Sequence, residues 1–168
     1  MLTDQQILRI PGPSPIPPSV SRAMAQPMID HRGQSTYDML SVIRPKLKRV
    51  FGTEQEVLIL TASGTAGLEA AVVNAVASHD EVLVIVSGAF GERFADICKT
   101  YNIQTHLIET EWGKAATVSD ITEAFEAHPN IRAVFMTYCE TSTCVLNPVY
   151  ELAAEIRSRS EALIIVDG

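Results

Sequence analysis

A run of small and hydroxyl-bearing residues, Thr61–Gly67 (TASGTAG), lies between a predicted strand and a predicted helix. Small residues let the backbone approach a ligand closely, and the free N–H groups at the start of a helix bind anions. The run therefore fits a phosphate cup made by Ser63, Gly64 and Thr65. A tight turn with a capping hydroxyl residue explains the same pattern equally well. The run matches neither a Walker loop nor the dinucleotide glycine fingerprint, which disfavours a nicotinamide-binding domain.

Three further candidates each follow a predicted strand. Phe90 lies between Gly88 and Gly91, so its ring either stacks on a planar heterocycle or packs into the core. The run Thr137–Thr143 (TYCETST) offers donors for a ring hydroxyl or a carboxylate, although such residues are also common in turns. Asp167 ends an apolar strand, where a carboxylate needs a cationic or donor partner. A pyridinium nitrogen could be that partner, and so could the N–H groups at the start of a following helix, which Asp167 would then cap.

The elements that must position these residues alternate between strand and helix. The predicted strands are Glu56–Ala62, Glu81–Ser87, Thr105–Glu109, Ile131–Thr137 and Ala162–Asp167. The helices predicted between them are Gly67–Ala77, Gly91–Tyr101, Val118–Ala127 and Pro148–Arg159. Most of these strands are continuous apolar runs, which indicates burial on both faces. The sequence thus predicts the α/β fold class, with a mostly parallel sheet and flanking helices.

All four candidate segments follow successive strands of this one predicted sheet. The carboxyl ends of parallel strands meet in a single crevice. A phosphate cup, a stacking ring, hydroxyl donors and a partner for a pyridinium nitrogen would then lie together. That combination describes a pocket for pyridoxal 5′-phosphate.

Residues 1–20 are expected to form an extended N-terminal segment, because Pro11–Pro18 is dense in prolines, which fix φ and exclude helix. This segment is either an exposed linker or a rigid stretch whose backbone meets a ligand. The helices expected after it are Val20–Gln26, capped by Ser19, and Ser35–Phe51, kinked or broken at Pro45 and ended by Gly52.

Composition excludes several classes of function. The net charge of −7 and the pI of about 5.0 argue against a nucleic-acid partner. The apolar runs are far shorter than the roughly 20 residues of a membrane span, and no secretory signal is evident. The three cysteines, Cys98, Cys139 and Cys144, are too sparse for a disulfide framework and lack the spacing of a metal clip. A cytoplasmic location and no metal are expected.

The chain resembles the class V, fold-type I pyridoxal-phosphate aminotransferases, close to the alanine–glyoxylate and serine–pyruvate group. The resemblance covers essentially the whole chain. The segments that carry it are Pro11–Pro13 with Pro17–Pro18, Asp30–Arg32, Ala62–Thr65 with Leu68–Ala71, Gly88–Arg93, Glu140–Thr143 and Val166–Asp167. Two positions depart from the family pattern: Tyr138 stands where many members have histidine, and Cys144 where many have glycine.

The resemblance implies a role for each matched position. Ser63, Gly64 and Thr65 would hold the cofactor phosphate, and Phe90 would stack on its ring. Thr141 would face the ring edge, and Asp167 would keep the pyridine nitrogen protonated. Gly12 would contribute near the substrate carboxylate. Residues 21–168 would be an incomplete cofactor-binding large domain. The strand that ends at Asp167 without a following helix also reads as cut mid-fold.

The implied reaction is amino transfer between a small amino acid, alanine or serine, and a 2-oxo acid, glyoxylate or pyruvate. The Schiff-base lysine and the small C-terminal domain are expected beyond Gly168, the intact protein is expected to be a homodimer, and the chain alone is expected to be inactive. Two alternatives stay open. One is another class V activity, such as cysteine desulfuration or transamination of an aminophosphonate or ureidoglycine. The other is a non-catalytic truncated fragment.

Overall fold

The computed structural model describes residues 8–168, so the start of the expected N-terminal segment lies outside the described residues. The chain forms two compact units, one ending at Leu60 and one running from Thr61 to Gly168. The helices are α1 (Pro18–Met24), α2 (Gln34–Phe51), α3 (Gly64–Ala75), α4 (Ala89–Thr100), α5 (Val118–Ala127) and α6 (Val149–Arg159). The strands are β1 (Glu81–Val86), β2 (Gln104–Glu109), β3 (Ile131–Thr137), β4 (Cys139–Glu140), β5 (Val145–Leu146) and β6 (Leu163–Asp167).

In the first unit, residues 8–17 form neither helix nor strand. Helix α1 starts at Pro18, two residues before the predicted start, because a proline with fixed φ is favourable in the first helical turn. Its N-cap is therefore Pro17 and not Ser19, and no side chain caps it. Helix α2 is not broken at Pro45, which removes one backbone hydrogen bond from an 18-residue helix. Gly52 ends α2 with a φ of 60°, as predicted.

The predicted strand Glu56–Ala62 is wrong for this chain. Its residues form neither helix nor strand, and Leu58 is 83% exposed. A strand exists only through hydrogen bonds to a neighbour, and within residues 8–168 no strand pairs with this segment. The apolar pattern is that of a strand whose partners the described residues do not supply.

The second unit is built on a four-stranded sheet with the order β2-β1-β3-β6. All of its strand pairs are parallel, which confirms the predicted α/β class and the mostly parallel sheet. The two short strands β4 and β5 form a separate antiparallel pair. Helices α3 and α4 start two to three residues earlier than predicted, at Gly64 and Ala89.

The sheet separates two apolar cores, because each face is covered by a different pair of helices. Helices α3 and α4 cover one face, and the core there includes Leu68, Val84, Phe94 and Phe135. Helices α5 and α6 cover the other, with Leu83, Ile121, Met136 and Leu152. Successive residues of β1 alternate between the two cores and all except its first residue are buried. This arrangement explains its continuous apolar run.

Among the described helices, none combines the length and the apolar character that a membrane span needs. The three cysteines are free thiols; Cys98 is buried, and its burial raises the pKa of its thiol to about 11. A thiol that stays protonated is a poor nucleophile and metal ligand, in keeping with a structural role for Cys98.

Cys144 has a φ of 60°, in the left-handed region that favours glycine. This is the position at which the resemblance shows a departure from glycine. Cys144→Gly should therefore raise the free energy of unfolding by about 1 kcal/mol, since it relieves the steric cost of a β-carbon. Urea denaturation would measure the change, and a variant no more stable than the wild type would show that the turn stores no such strain.

Candidate active site

The carboxyl edge of the four-stranded sheet borders a cavity of about 230 Å³ in the second unit. Its walls come from the start of α3, the first turns of α4 and the end of β6. The lining residues are Gly64, Thr65, Leu68, Phe90, Arg93 and Asp167. Four of these six residues, all but Leu68 and Arg93, were candidates from the sequence. Phe90 and Asp167 reach the cavity from the carboxyl ends of β1 and β6, as predicted, whereas Gly64 and Thr65 follow a segment that forms no strand.

One end of the cavity is suited to an anion. Ser63 is the N-cap of α3, and its Oγ accepts a hydrogen bond from the N–H of Ala66 at 3.2 Å. The N–H groups of Gly64 and Thr65 lie in the first turn, where a helix offers them no acceptor of its own. Arg93 Nη1 donates to Thr65 Oγ1 at 3.1 Å and brings a positive charge to the same end. The donors are those of a phosphate site.

Phe90 forms part of the wall at the first turn of α4. Its ring is half-buried, and the Arg93 guanidinium carbon lies 5.2 Å from the ring centroid. A cation at that distance is attracted to an aromatic face. Arg93 therefore touches both Thr65 and Phe90. No local sequence pattern indicates this role, because a single arginine on a helix is usually solvated.

The start of α4 is fixed by Glu140, whose side chain is fully buried. Its Oε2 accepts hydrogen bonds from the N–H groups of Phe90 and Gly91, both at 3.1 Å. Its Oε1 accepts a hydrogen bond from Ser142 Oγ at 2.5 Å, and that hydroxyl in turn accepts from the N–H of Ala89. A carboxylate here also balances the positive end of the helix dipole. Glu140 thus determines where the Phe90 ring lies.

Glu140→Gln should lower the free energy of unfolding by about 1–2 kcal/mol. The amide keeps one acceptor oxygen but loses the negative charge, and it places a second donor opposite the Ser142 hydroxyl. Glu92→Gln is the matched control, because Glu92 lies in the first turn of the same helix but is exposed. Urea unfolding of both variants would decide the matter: equal losses would mean that the buried hydrogen bonds of Glu140 contribute nothing beyond helix electrostatics.

A second buried polar residue, Asn147, connects the ends of two central strands. Its Nδ2 donates to Ser87 Oγ and to the Thr137 carbonyl oxygen, both at 2.8 Å. Thr143 Oγ1 donates to the Ser87 carbonyl oxygen at 2.9 Å. Of the hydroxyl-rich run after β3, Ser142 and Thr143 therefore hold the loops in place. This supports the turn interpretation for those residues.

Asp167 is the last residue of β6 and lies next to Thr137 of β3 in the sheet register. Its side chain is half-buried. Desolvation raises the pKa of this carboxyl, the negative charge of Glu140 raises it further, and the charge of Arg93 opposes both. Ionisation of Asp167 is therefore less favourable here than in water, and a positive partner such as a pyridinium nitrogen would stabilise the ionised form.

This pKa shift predicts how Asp167→Asn changes the stability of the cofactor-free protein with pH. The folded-state pKa is raised, so the favourable contribution of the protonated carboxyl is complete below the unfolded-state pKa of about 4. That contribution is lost as the pH rises through the folded-state pKa. Asp167→Asn should then unfold at higher urea than the wild type at neutral pH, and the advantage should shrink towards pH 4. An advantage that does not change with pH would contradict the raised pKa.

The roles expected of Ser63, Thr141 and Gly12 have no direct support in the described cavity. Ser63 is not among the lining residues, and its hydroxyl is used as the cap of α3. Thr141 is exposed in the loop after β4 and does not line the cavity. Gly12 belongs to the first unit. Their expected contacts with a cofactor or substrate stay predictions.

Comparison with known proteins places the chain in a family. The family model described as aminotransferase class V matches residues 9–168. The chain belongs to the class V aminotransferases. It is 40% identical to an uncharacterized aminotransferase of Methanocaldococcus jannaschii over 97% of this chain, and 32% identical to the L-aspartate–glyoxylate aminotransferase of Paracoccus denitrificans over 99%.

A solved structure, that of the alanine–glyoxylate aminotransferase of Nostoc sp., has 29% sequence identity and a TM-score of 0.89 over 99% of this chain. The chain spans 42% and 43% of the two relatives named above and 44% of this structure. The described fold is therefore the N-terminal portion of the fold-type I cofactor-binding architecture.

Pyridoxal 5′-phosphate is the cofactor of class V aminotransferases, and the cavity fits the chemistry of that group. The helix start with Thr65 and Arg93 matches a phosphate, and the half-buried Asp167 matches a protonated ring nitrogen. Phe90 supplies an aromatic part of the wall. Each of these three parts complements a different part of the cofactor.

Proposed function

We propose that this chain is the cofactor-binding portion of a transaminase that moves an amino group between alanine or serine and glyoxylate or pyruvate. The observation that carries the proposal is the single cavity lined by the start of α3, Phe90 and Asp167. The names of two relatives, alanine–glyoxylate and L-aspartate–glyoxylate aminotransferase, favour glyoxylate as the acceptor.

In the proposed mechanism the cofactor, when bound, supplies an electron-poor ring that accepts the electron pair left by the departing Cα proton. The N–H groups of Gly64 and Thr65 and the Thr65 hydroxyl bind its phosphate. Arg93, hydrogen-bonded to Thr65, adds positive charge at that end. Phe90 lies against the ring and excludes water from one of its faces.

Asp167 holds the proton on the pyridine nitrogen, and that proton keeps the ring electron-poor. Burial favours this role, because a carboxylate shielded from water binds a cationic partner more strongly. Thr141 would face the ring edge and Gly12 the substrate carboxylate. The lysine that carries the substrate proton is expected in the part of the enzyme beyond Gly168, as the family resemblance implies.

The intact enzyme is proposed to be a cytoplasmic homodimer. The free thiols of all three cysteines agree with a reducing compartment. The unpaired apolar stretch that contains Leu58 and Ile59 agrees with further chain or a partner covering it in the intact protein.

The test is a substrate panel with the complete enzyme and added cofactor. Alanine, serine, aspartate and cysteine would be offered as donors with glyoxylate, and all of them except alanine also with pyruvate, because alanine and pyruvate only exchange into each other. The amino acid and oxo acid products would be quantified. We expect transfer from alanine or serine with glyoxylate as the better acceptor. Sulfide release from cysteine would support the desulfurase alternative, and absence of transfer from every donor would support a non-catalytic product.

A further inference from the structure

Glu81, His106 and His128 lie together at the amino edge of the sheet, opposite the edge that carries Asp167. Glu81 begins β1, His106 is in β2, and His128 is the C-cap of α5. One potential ligand atom from each residue lies within 4.8 Å of those of the other two. These residues are far apart in the sequence, so no spacing motif predicts the cluster.

The contacts within this cluster are close to those of a metal site. Glu81 Oε2 lies 3.0 Å from His106 Nε2. Ligand atoms at about 2.0–2.2 Å from a tetrahedral zinc ion are separated from each other by roughly 3.4 Å. The first pair is therefore already at nearly the right spacing. The ligand atom of His128 lies within 4.8 Å of both, and a side-chain rotation would have to bring it closer.

An ion pair alone does not explain the cluster. The rings of His106 and His128 are stacked, with centroids 3.6 Å apart and an angle of 16° between their planes. Glu81 pairs with one imidazole, and stacking on the His106 ring holds the second one in place. A metal ion uses both rings, although nearly parallel rings do not aim two nitrogens at one ion, and His128 must turn to complete the set.

The surroundings also favour a cation. The cluster borders a groove of about 520 Å³ between β2 and α5, and the residues that line it include Glu109, Asp120 and Glu123. None of the described residues that line this groove is a lysine or arginine. The side chains of Glu81 and His106 are only 25% and 18% exposed, so they are partly withdrawn from competing water.

We propose that Glu81, His106 and His128 bind a divalent transition-metal ion of the zinc type, with water in the remaining position. Two imidazoles and one carboxylate suit zinc better than magnesium or calcium, which prefer oxygen ligands. Because the ligands come from β1, β2 and α5, the ion would join the edge strand β2 to the helix that covers it. The proposal does not depend on the cofactor or on transaminase activity.

The test is zinc titration of the protein after removal of metal with a chelator and without cofactor. Cys139→Ser and Cys144→Ser form the background, because exposed thiols also bind zinc. We expect saturable binding of one ion per chain, with a rise in melting temperature and changed histidine signals in NMR spectra. No saturable binding in this background would overturn the proposal.

The ligand variants are His106→Ala, His128→Gln and Glu81→Gln, each expected to weaken zinc binding about tenfold or more. His79→Ala is the matched control, since His79 is 84% exposed and also lies beside a carboxylate, that of Asp80. It should bind zinc as the background does. If His106→Ala does not fold, as judged by circular dichroism, His128→Gln decides the matter. Unchanged affinity in folded His128→Gln, or an equal loss in His79→Ala, would contradict the proposal.

Discussion

Replacing Asp167 with asparagine is expected to leave cofactor binding in place and to slow transamination by roughly a hundredfold or more. Asparagine has nearly the same shape as aspartate but carries no charge to hold a proton on the pyridine nitrogen. Without that proton the ring accepts electrons less well than in the wild type. This loss raises the energy of the transition state more than that of the ground state. The loss should therefore appear in kcat and not in the binding of the cofactor.

Turnover and cofactor affinity of the complete enzyme would be measured side by side. Asp96→Asn is the matched control, because Asp96 lies on α4 with 75% of its side chain exposed. The control should keep wild-type turnover. Wild-type turnover in Asp167→Asn as well would remove the assigned role, and loss of cofactor together with turnover would reduce that role to binding.

Gly91→Ala is expected to destabilise the protein by about 3 kcal/mol. A β-carbon at Gly91 would lie 2.7 Å from the carbonyl oxygen of Ile85 and 2.8 Å from the α-carbon of Val86. Both are backbone atoms of the central strand β1, which cannot move aside as a flexible side chain does. Helix α4 would have to shift, and the Phe90 and Arg93 walls of the cavity would shift with it.

Gly67→Ala provides the comparison for this substitution. Gly67 is also a helical glycine, but a β-carbon there meets no atom within 4 Å. Alanine has the higher helix propensity, so Gly67→Ala should be neutral or stabilising by up to about 1 kcal/mol. Urea unfolding of the two variants would separate the effects. Equal stabilities would show that α4 is free to move away from β1.

The sequence predicted the sheet well because periodicity and burial are local signals. Strand Ile131–Thr137 and helix Val118–Ala127 agree with the structure residue for residue. The errors at other ends are small and have local causes, such as the capping hydroxyl of Ser63, which starts α3 at Gly64 and not at Gly67. Burial of β1 on both faces produces the apolar run that indicated a parallel sheet.

The residues that hold the site in shape were harder to predict. Glu140 was noted only as part of a motif, yet its buried carboxylate fixes the start of α4 from about 50 residues away. Arg93 was not a candidate, although it contacts Thr65 and Phe90. Such contacts depend on which loops meet at the edge of the sheet, and no local pattern encodes that.

The strand predicted at Glu56–Ala62 is an error of the opposite kind, because here an element was predicted that the structure does not form. Its local pattern is correct for a strand, but backbone hydrogen bonding is decided by neighbours, and the described residues provide none. The cluster of Glu81, His106 and His128 shows the same limit for sites. Three residues of common types become a candidate metal site only when the fold brings them together.

The most direct test of the central claim is a crystal structure of the complete enzyme with pyridoxal 5′-phosphate bound. The phosphate is expected at the start of α3, hydrogen-bonded to the N–H groups of Gly64 and Thr65. The pyridine nitrogen is expected within hydrogen-bonding distance of the Asp167 carboxylate, with Phe90 against the ring. A cofactor bound with its ring nitrogen away from Asp167, or with its phosphate away from the α3 N-terminus, would contradict the account.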